Sequence, residues 1–550
     1  MRPASVPGSA AGTVPGSASA PMSVPDPVSR PVSGSAPEPV SGGMPEVTFT
    51  QQGMWVTEQA GGGGAAYHMP LLVHLDGDLD TGALLAACTA VADRHPMLGD
   101  VVAEVDGELR LVPGAEVPVR HVRDAGPARG NADPAGAEGE RPTGERDAGA
   151  TLGEETWERA VREEILRPFD LDTGPLARFT LFRTGPRRHL LVFVAHHLVF
   201  DGGSKDVLVR DLAAFYNGET PLPLPRADHG RAERDRVAAL LPDAREFWKP
   251  RWRDPGETVV LGRPLRSRRA GEGRVLRFTL GAPVTAVPGL TGFEVLLAAL
   301  HTLLLGYGNA AVTTAVDLST RPVEAADHVG PFVNELPVAS APSPRQTFRA
   351  FATALRGELR EIYRFRQVPF SRAMPRVRPH AALVPVSVSY RTRREAGPVF
   401  TGLDATVEWT AFNHAVRGAL HLQCVAAPGG LEISMRYDPE TVPDAARVAG
   451  DLRLVLERAT RHPDLSLHDI LENEMGSVTT LTDQIREIWE EVLGISPIDD
   501  HDDIFDLGGH SLTITQIIAR MRKRLDIEVS LDAFFDTPTI AGIVDSLGDD

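Results

Sequence analysis

The sequence predicts two mixed α/β units followed by a small all-α unit, and three observations carry that prediction. An uninterrupted apolar run, Leu190 to Ala195, reads as a strand buried on both faces that passes through a polar turn into a helix. From Val259 to Pro463 strand-like and helix-like patterns alternate again, which suits a second unit built like the first. From Thr480 onward the pattern changes to short amphipathic helices in an acidic setting. At 550 residues the chain is longer than one hydrophobic core organises, so several compact units are expected.

Charge and composition narrow the function. Of a formal net charge of −18, most falls between Leu481 and Asp550, which hold 16 acidic and 5 basic residues. That balance argues against nucleic acid as a partner. No apolar run approaches the roughly 20 residues needed to span a bilayer, so no membrane partner is expected. The opening MRPASVPGSAAGTVPG has no apolar stretch behind Arg2, so a secretory signal is not expected and the cytoplasm is the expected location. Cys88 and Cys424 sit in apolar contexts far apart in sequence and read as buried thiols.

Residues 1–43 are rich in Pro, Ser, Ala, Gly and Val without periodicity, a composition that cannot offset the entropy of ordering, and are expected to be disordered. Order begins near Pro45 with the amphipathic EVTFTQQGMWVTEQ, then a strand and turn in PLLVHLDGDLD, then a helix with Leu84, Leu85, Cys88 and Val91 on one side. Residues 124–153 read as a flexible insertion in a surface loop. The apolar run then ends in His196 and His197. Asp201, Gly202 and Gly203 permit a tight turn, and Val207, Leu208, Leu212 and Phe215 share one helical face beyond it. The first unit is placed at 44–220, the second at 221–469, a linker at 470–480 and the last unit at 481–550. In that last unit Ile485, Ile488, Trp489, Val492 and Leu493 recur at helical spacing, and a Gly-Gly turn precedes a helix with Ile514, Ile517, Ile518 and Met521 buried.

The stretch HHLVFDGGS, from His196 to Ser204, resembles the signature of the condensation domains of nonribosomal peptide synthetases, which are similar to chloramphenicol acetyltransferase. Other segments carry the same resemblance: Gln51 or Gln52 with Met54 and Trp55; Phe169, Asp170, Gly174, Pro175 and Leu176 before the histidine strand; Arg321 upstream of Gly330, Phe332, Val333 and Asn334; and Val368, Pro369 and Phe370. Gly99, Arg366 and Gln367 depart from the family pattern. The string DIFDLGGHSL resembles the attachment site of a peptidyl carrier protein.

The resemblance implies two acetyltransferase-like α/β lobes in a V with the active site between them, plus an all-α four-helix carrier domain. It implies that Ser511 receives a 4'-phosphopantetheine arm whose thiol holds an acyl or aminoacyl group as a thioester, at a helix N-terminus that suits a phosphate. Attack of a neutral amine on a thioester needs no metal or nucleotide, only proximity and a proton acceptor. The catalytic set expected is His197, His196, Asp201 and Gly202: His197 positions the amine and accepts or relays its proton, while His196 is structural. Asp201 holds the loop through a salt bridge to Arg321, Gly202 lets backbone approach the thioester, and Asn334 lines the interface between lobes. Expected partners are an upstream acyl or peptidyl carrier protein, a separate adenylating enzyme and a phosphopantetheinyl transferase, with a downstream synthetase module left open. The product is expected to be an amide. An ester from a hydroxyl acceptor, a non-catalytic recruitment platform with a storage carrier, and a coenzyme A-dependent acyltransferase are the alternatives.

Overall fold

The computed structural model describes residues 43–122, 154–253, 257–266, 270–281, 285–375, 377, 382–393, 397–472, 481–525, 527 and 529–546. The tail 1–42, the insertion 124–153 and the linker residues 473–480 lie outside them.

The first half is built on a five-stranded sheet in the order Leu403–Glu408, His68–Gly77, Arg188–His196, Ala177–Arg183 and Val119–Val122. The apolar run forms its middle strand. Leu190 through Ala195 are buried without a break, because this strand is paired on both edges and covered on both faces. The helices Thr81–Arg94 and Gly202–Tyr216 share the core on one face, with Leu84, Cys88, Leu208 and Leu212 buried there. The helix Glu154–Leu166 contributes Val161 and Ile165 to a smaller cluster with Val192 and Val194 on the other.

The second half carries a six-stranded sheet, Arg274–Leu280, Gly430–Tyr437, Leu420–Ala427, Val386–Thr392, Val312–Ser319 and Val333–Ser340. One face packs against the helices Gly292–Gly306, Phe348–Tyr363 and Ala445–Arg461, whose apolar stripes supply the largest core. The other face is polar. Along Val386–Thr392, Ser387, Ser389 and Arg391 alternate with Val386 and Val388, which are buried in that core. Helix Leu467–Glu472 also belongs to this half, through buried Leu467 and Ile470, so the unit runs past 469.

The boundary between units is less simple than the sequence division at 220. The strand Leu403–Glu408 leaves the second half and pairs antiparallel with His68–Gly77, with Val73 opposite Val407 and Leu75 opposite Ala405. Leu403, Ala405 and Val407 pack on the first core. The alternation in LDATVE marks a strand, but strand periodicity does not say which sheet receives it.

The four helices described in the last unit, Leu481–Leu493, Ser511–Leu525, Leu531–Asp536 and Ile540–Ser546, enclose a separate core of Ile485, Ile488, Trp489, Ile514, Ile517, Met521 and Phe534. Cys88 and Cys424 are free and buried. Among the described residues no helix is long and apolar enough to cross a membrane, and no group of His, Cys, Asp and Glu has the arrangement of a metal site.

Candidate active site

The histidine strand ends at a cavity of about 720 Å3 between the halves, lined by His197, Asp201, Gly202, Lys205, Asp317 and Arg436 among others; His196 is not part of its wall. Backbone bonds fix the strand end, His196 N–H donating to Leu176 O at 2.8 Å and His197 N–H to Tyr67 O at 2.8 Å. The two rings then differ in every respect that matters for chemistry.

His196 is buried and fully engaged. Its Nδ1 accepts from Leu198 N–H at 3.1 Å, which leaves Nε2 to donate to Glu58 Oε1 at 3.2 Å. Tyr67 and Phe169 pack edge-on against the ring. His197 lines the cavity, and its Nδ1 is buried without a hydrogen-bond partner. Burial holds its pKa below the ordinary imidazole value against the opposing pull of Asp201, so the ring is neutral near pH 7. A neutral imidazole on a cavity wall is a proton acceptor.

Asp201 is the N-cap of helix Gly202–Tyr216 and spends all its acceptor capacity on structure. Oδ1 accepts from Ser204 N–H at 2.7 Å, Ser204 Oγ at 2.7 Å and Arg321 Nη2 at 2.8 Å, and Oδ2 accepts from Phe332 N–H at 2.9 Å. Arg321 and Phe332 belong to the second half, so one carboxylate ties the histidine loop to both halves. Arg321 also donates to Ala325 O at 3.1 Å and to His328 O. Ser204 completes the joint, accepting from Gly330 N–H at 3.1 Å.

Gly202 lies at the cavity, and a Cβ there would meet nothing within 4 Å. Its carbonyl accepts from Arg391. The two glutamines of the first segment separate in role. Gln51 is buried and donates to Leu198 O at 2.9 Å beside the histidines, whereas Gln52 accepts from Arg372 at 2.7 Å near the surface.

Asn334 is placed differently from the expectation. Its side chain donates to Arg366 O and Val368 O, both at 2.9 Å, and clasps that loop of the second half; it is not among the cavity-lining residues. The cause is strand alternation: Val333 and Glu335 take the cavity side, and Asn334 falls on the opposite face.

Several cavity groups were not singled out from sequence. Asp317 and Glu335 face each other across the register, Glu335 pairs with Arg417, and burial followed by the Glu335 charge raises the Asp317 pKa. Lys205 is fully buried, donating to Pro70 O at 2.8 Å and Trp409 O at 3.0 Å. Polar alternation in VSVSYR, LHLQCV and LEISMRY marks other residues of the same wall, Ser387, His421 and Arg436 among them, but not Asp317, Glu335 or Lys205.

In the last unit, Gly508 adopts φ +84° and Gly509 packs so closely that a Cβ would lie 2.6 Å from Ile504 Cγ1. This turn presents Ser511 as the first, exposed residue of a 15-residue helix. An accessible hydroxyl at a helix N-terminus fits attachment of a phosphodiester-linked arm.

Two α/β halves with a polar cavity between them, a histidine loop fixed at its wall and an appended serine-bearing helical bundle define a two-lobed α/β protein with a small helical unit. Comparison with known proteins specifies it. The condensation-domain family model matches residues 145–474 and the phosphopantetheine attachment site model residues 483–547, and the chain belongs to the condensation-domain family. Tyrocidine synthase 3 of Brevibacillus parabrevis is 30% identical over 328 residues, 56% of this chain and 4% of that protein. Chondramide synthase cmdD of Chondromyces crocatus is 27% identical over 457 residues, 77% of this chain and 11% of that protein. The chain thus spans only a small part of the curated relatives it matches.

Among solved structures, the condensation domain from Monacolin K polyketide synthase MokA superposes with a TM-score of 0.63 at 18% identity, over 77% of this chain and 99% of that one. The X-domain from teicoplanin biosynthesis gives 0.60 at 23%, over 79% and 99%. The fold is therefore that of condensation domains.

Proposed function

We propose that this chain forms an amide between a carrier-bound acyl or peptidyl thioester and an amine presented on a phosphopantetheinylated carrier, with His197 as the proton acceptor. The observation that carries the reading is the contrast between the histidines: His196 has both ring nitrogens consumed by fixed hydrogen bonds, as Asp201 has its carboxylate, whereas His197 presents to the cavity a neutral ring held by no side-chain hydrogen bond.

When bound at Ser511, the phosphopantetheine arm supplies a thiol that carries its cargo as a thioester. The chain's residues do the rest. The joint made by Asp201, Arg321 and Phe332 holds the histidine loop so that the imidazole meets an incoming amine in one geometry. As the amine nitrogen bonds to the thioester carbonyl, His197 takes its proton, the C–S bond breaks, and the proton passes to the departing thiolate. Gly202, open at the cavity wall, lets the acyl chain lie against backbone. A hydroxyl acceptor would use the same groups. Ser511 is the attachment point, and a separate adenylating enzyme supplies its cargo.

The test loads Ser511 chemically with an aminoacyl or a hydroxyacyl group, adds an acyl-loaded upstream carrier, and follows intact mass. Acyl transfer onto the aminoacyl arm, and none in Ser511→Ala, is expected. No transfer with any of several donors onto a fully loaded chain overturns the reading.

A further inference from the structure

The inner wall of the cavity carries two basic side chains, Arg436 and Lys205, that the transfer chemistry does not use. Arg436, on Gly430–Tyr437, lines the cavity with no carboxylate within 4.0 Å among the described residues, and its Nε is buried without a partner. Its Nη2 donates to Ala411 O at 3.0 Å and to Gln423 Oε1. Burial lowers its pKa only to about 10, so it stays charged at neutral pH. Lys205 reaches the same place from the first half, its Nζ donating to Trp409 O at 3.0 Å; burial, with Arg391 and Arg436 nearby, pushes its pKa well below the usual lysine value, so it is a hydrogen-bond donor there rather than a fixed charge. The two side chains thus grip carbonyls of one short segment, Trp409 to Ala411, just beyond the strand that crosses between halves.

The surrounding charge does not balance. Asp206 is shared by Arg391 at 2.5 Å and Arg393 at 3.0 Å, and Glu408 is taken up by His74 at 2.7 Å and Arg277 at 3.9 Å. The Glu432 carboxylate accepts from Thr410 Oγ1. The three guanidiniums of Arg391, Arg393 and Arg436 therefore share this wall with the Asp206 and Glu432 carboxylates, both already engaged. A partly buried guanidinium without a counter-charge is destabilising where an apolar side chain of the same size would not be. Around it His421, Ser387 and Gln423 continue a polar surface across neighbouring strands, through the register His421 opposite Arg436 and Ser387 opposite His421.

We infer that Arg436, with Lys205 as a neighbouring donor, forms an anion-recognising subsite, and that a substrate of this chain bears a carboxylate that seats there. The inference rests on the proposed transfer reaction and deepens it by naming a substrate class. The other source of the same chemistry is the phosphate of the pantetheine arm.

The test is calorimetric titration of the full chain, which needs no turnover. The probes are N-acetylcysteamine thioesters, which lack phosphate, in matched pairs: the glutaric acid thioester against its terminal amide, and the α-thioester of glutamate against that of glutamine. A third pair is phosphopantetheine against pantetheine. Losing a hydrogen bond to a charged group predicts that at least one carboxylate binds about tenfold or more tightly than its amide. Arg436→Met removes the preference, Lys205→Met weakens it, and His197→Ala leaves it intact while slowing transfer.

Equal affinities within both carboxylate pairs in the wild type overturn the inference without any variant having to fold. So does a preference that survives Arg436→Met, or an Arg436-dependent preference confined to the phosphopantetheine pair. A carboxylate preference in a chain that transfers nothing would instead keep the subsite and refute the transfer reading.

Discussion

Replacing Asp201 by alanine removes four acceptor contacts at once and leaves Arg321, buried under Phe332, without its counter-charge. The side chains of the pair are 6% and 13% exposed, so solvent screening discounts the interaction little. Breaking one side of a buried ion pair costs about 3–5 kcal/mol. The lost helix cap, about 1 kcal/mol, and the stranded Phe332 N–H, about 1–3 kcal/mol, overlap with that figure because the same carboxylate makes all the contacts. The expected total is about 4 kcal/mol, read as a drop in the urea-unfolding midpoint of the full chain. Arg321→Ala should cost less, because the carboxylate it abandons keeps three donors, and a double-mutant cycle should give a coupling of about 2 kcal/mol. Asp201→Ala within about 1 kcal/mol of wild type, or additive single mutants, would refute the view that this carboxylate is the joint between the halves.

Three further outcomes follow from the packing. Burial pushes His68 down to about 4 and His229 and His301 to about 3, all below the unfolded value of about 6.5. Their contribution to stability is complete above pH 6.5 and is lost as pH falls toward the folded values. By pH 5 each should have cost about 2 kcal/mol, visible as a falling midpoint between pH 7 and 5; a flat profile contradicts it. Gly509→Ala drives a Cβ to 2.6 Å from Ile504 Cγ1 and 2.7 Å from Ile504 O, so the carrier unit should lose about 1–3 kcal/mol and accept the arm at Ser511 more slowly, measured by thermal unfolding and intact mass. Asn334→Ala leaves the Arg366 and Val368 carbonyls without their donor and should cost about 1–3 kcal/mol while changing KM little, since the side chain faces away from the cavity.

How much of this was legible before any coordinates depended on range. The histidine strand, its turn and the helix beyond were readable because the run Leu190–Ala195, the Asp-Gly-Gly turn and the spacing of Val207, Leu208 and Leu212 are all local signals. The Gly-Gly turn before Ser511 was readable for the same reason. The crossing of Leu403–Glu408 into the other sheet was not, because the alternation of that strand is satisfied equally by either partner. The side of the sheet on which Asn334 falls depends on register against Val312–Ser319, which no local pattern sets. Lys205 and Arg436 could not be brought together from sequence, since one-dimensional spacing does not show that they line one cavity.

The central claim is that His197 is the proton acceptor, and the rate of acyl transfer in a single turnover tests it most directly. With the aminoacyl-loaded chain in excess over acyl carrier, His197→Ala should slow transfer by about 10²- to 10⁴-fold at pH 7.5, with the fold and Ser511 loading unchanged. His196→Ala should instead lose stability, because its ring is spent on Leu198 and Glu58. Transfer by His197→Ala at a rate within a few-fold of wild type would contradict the account.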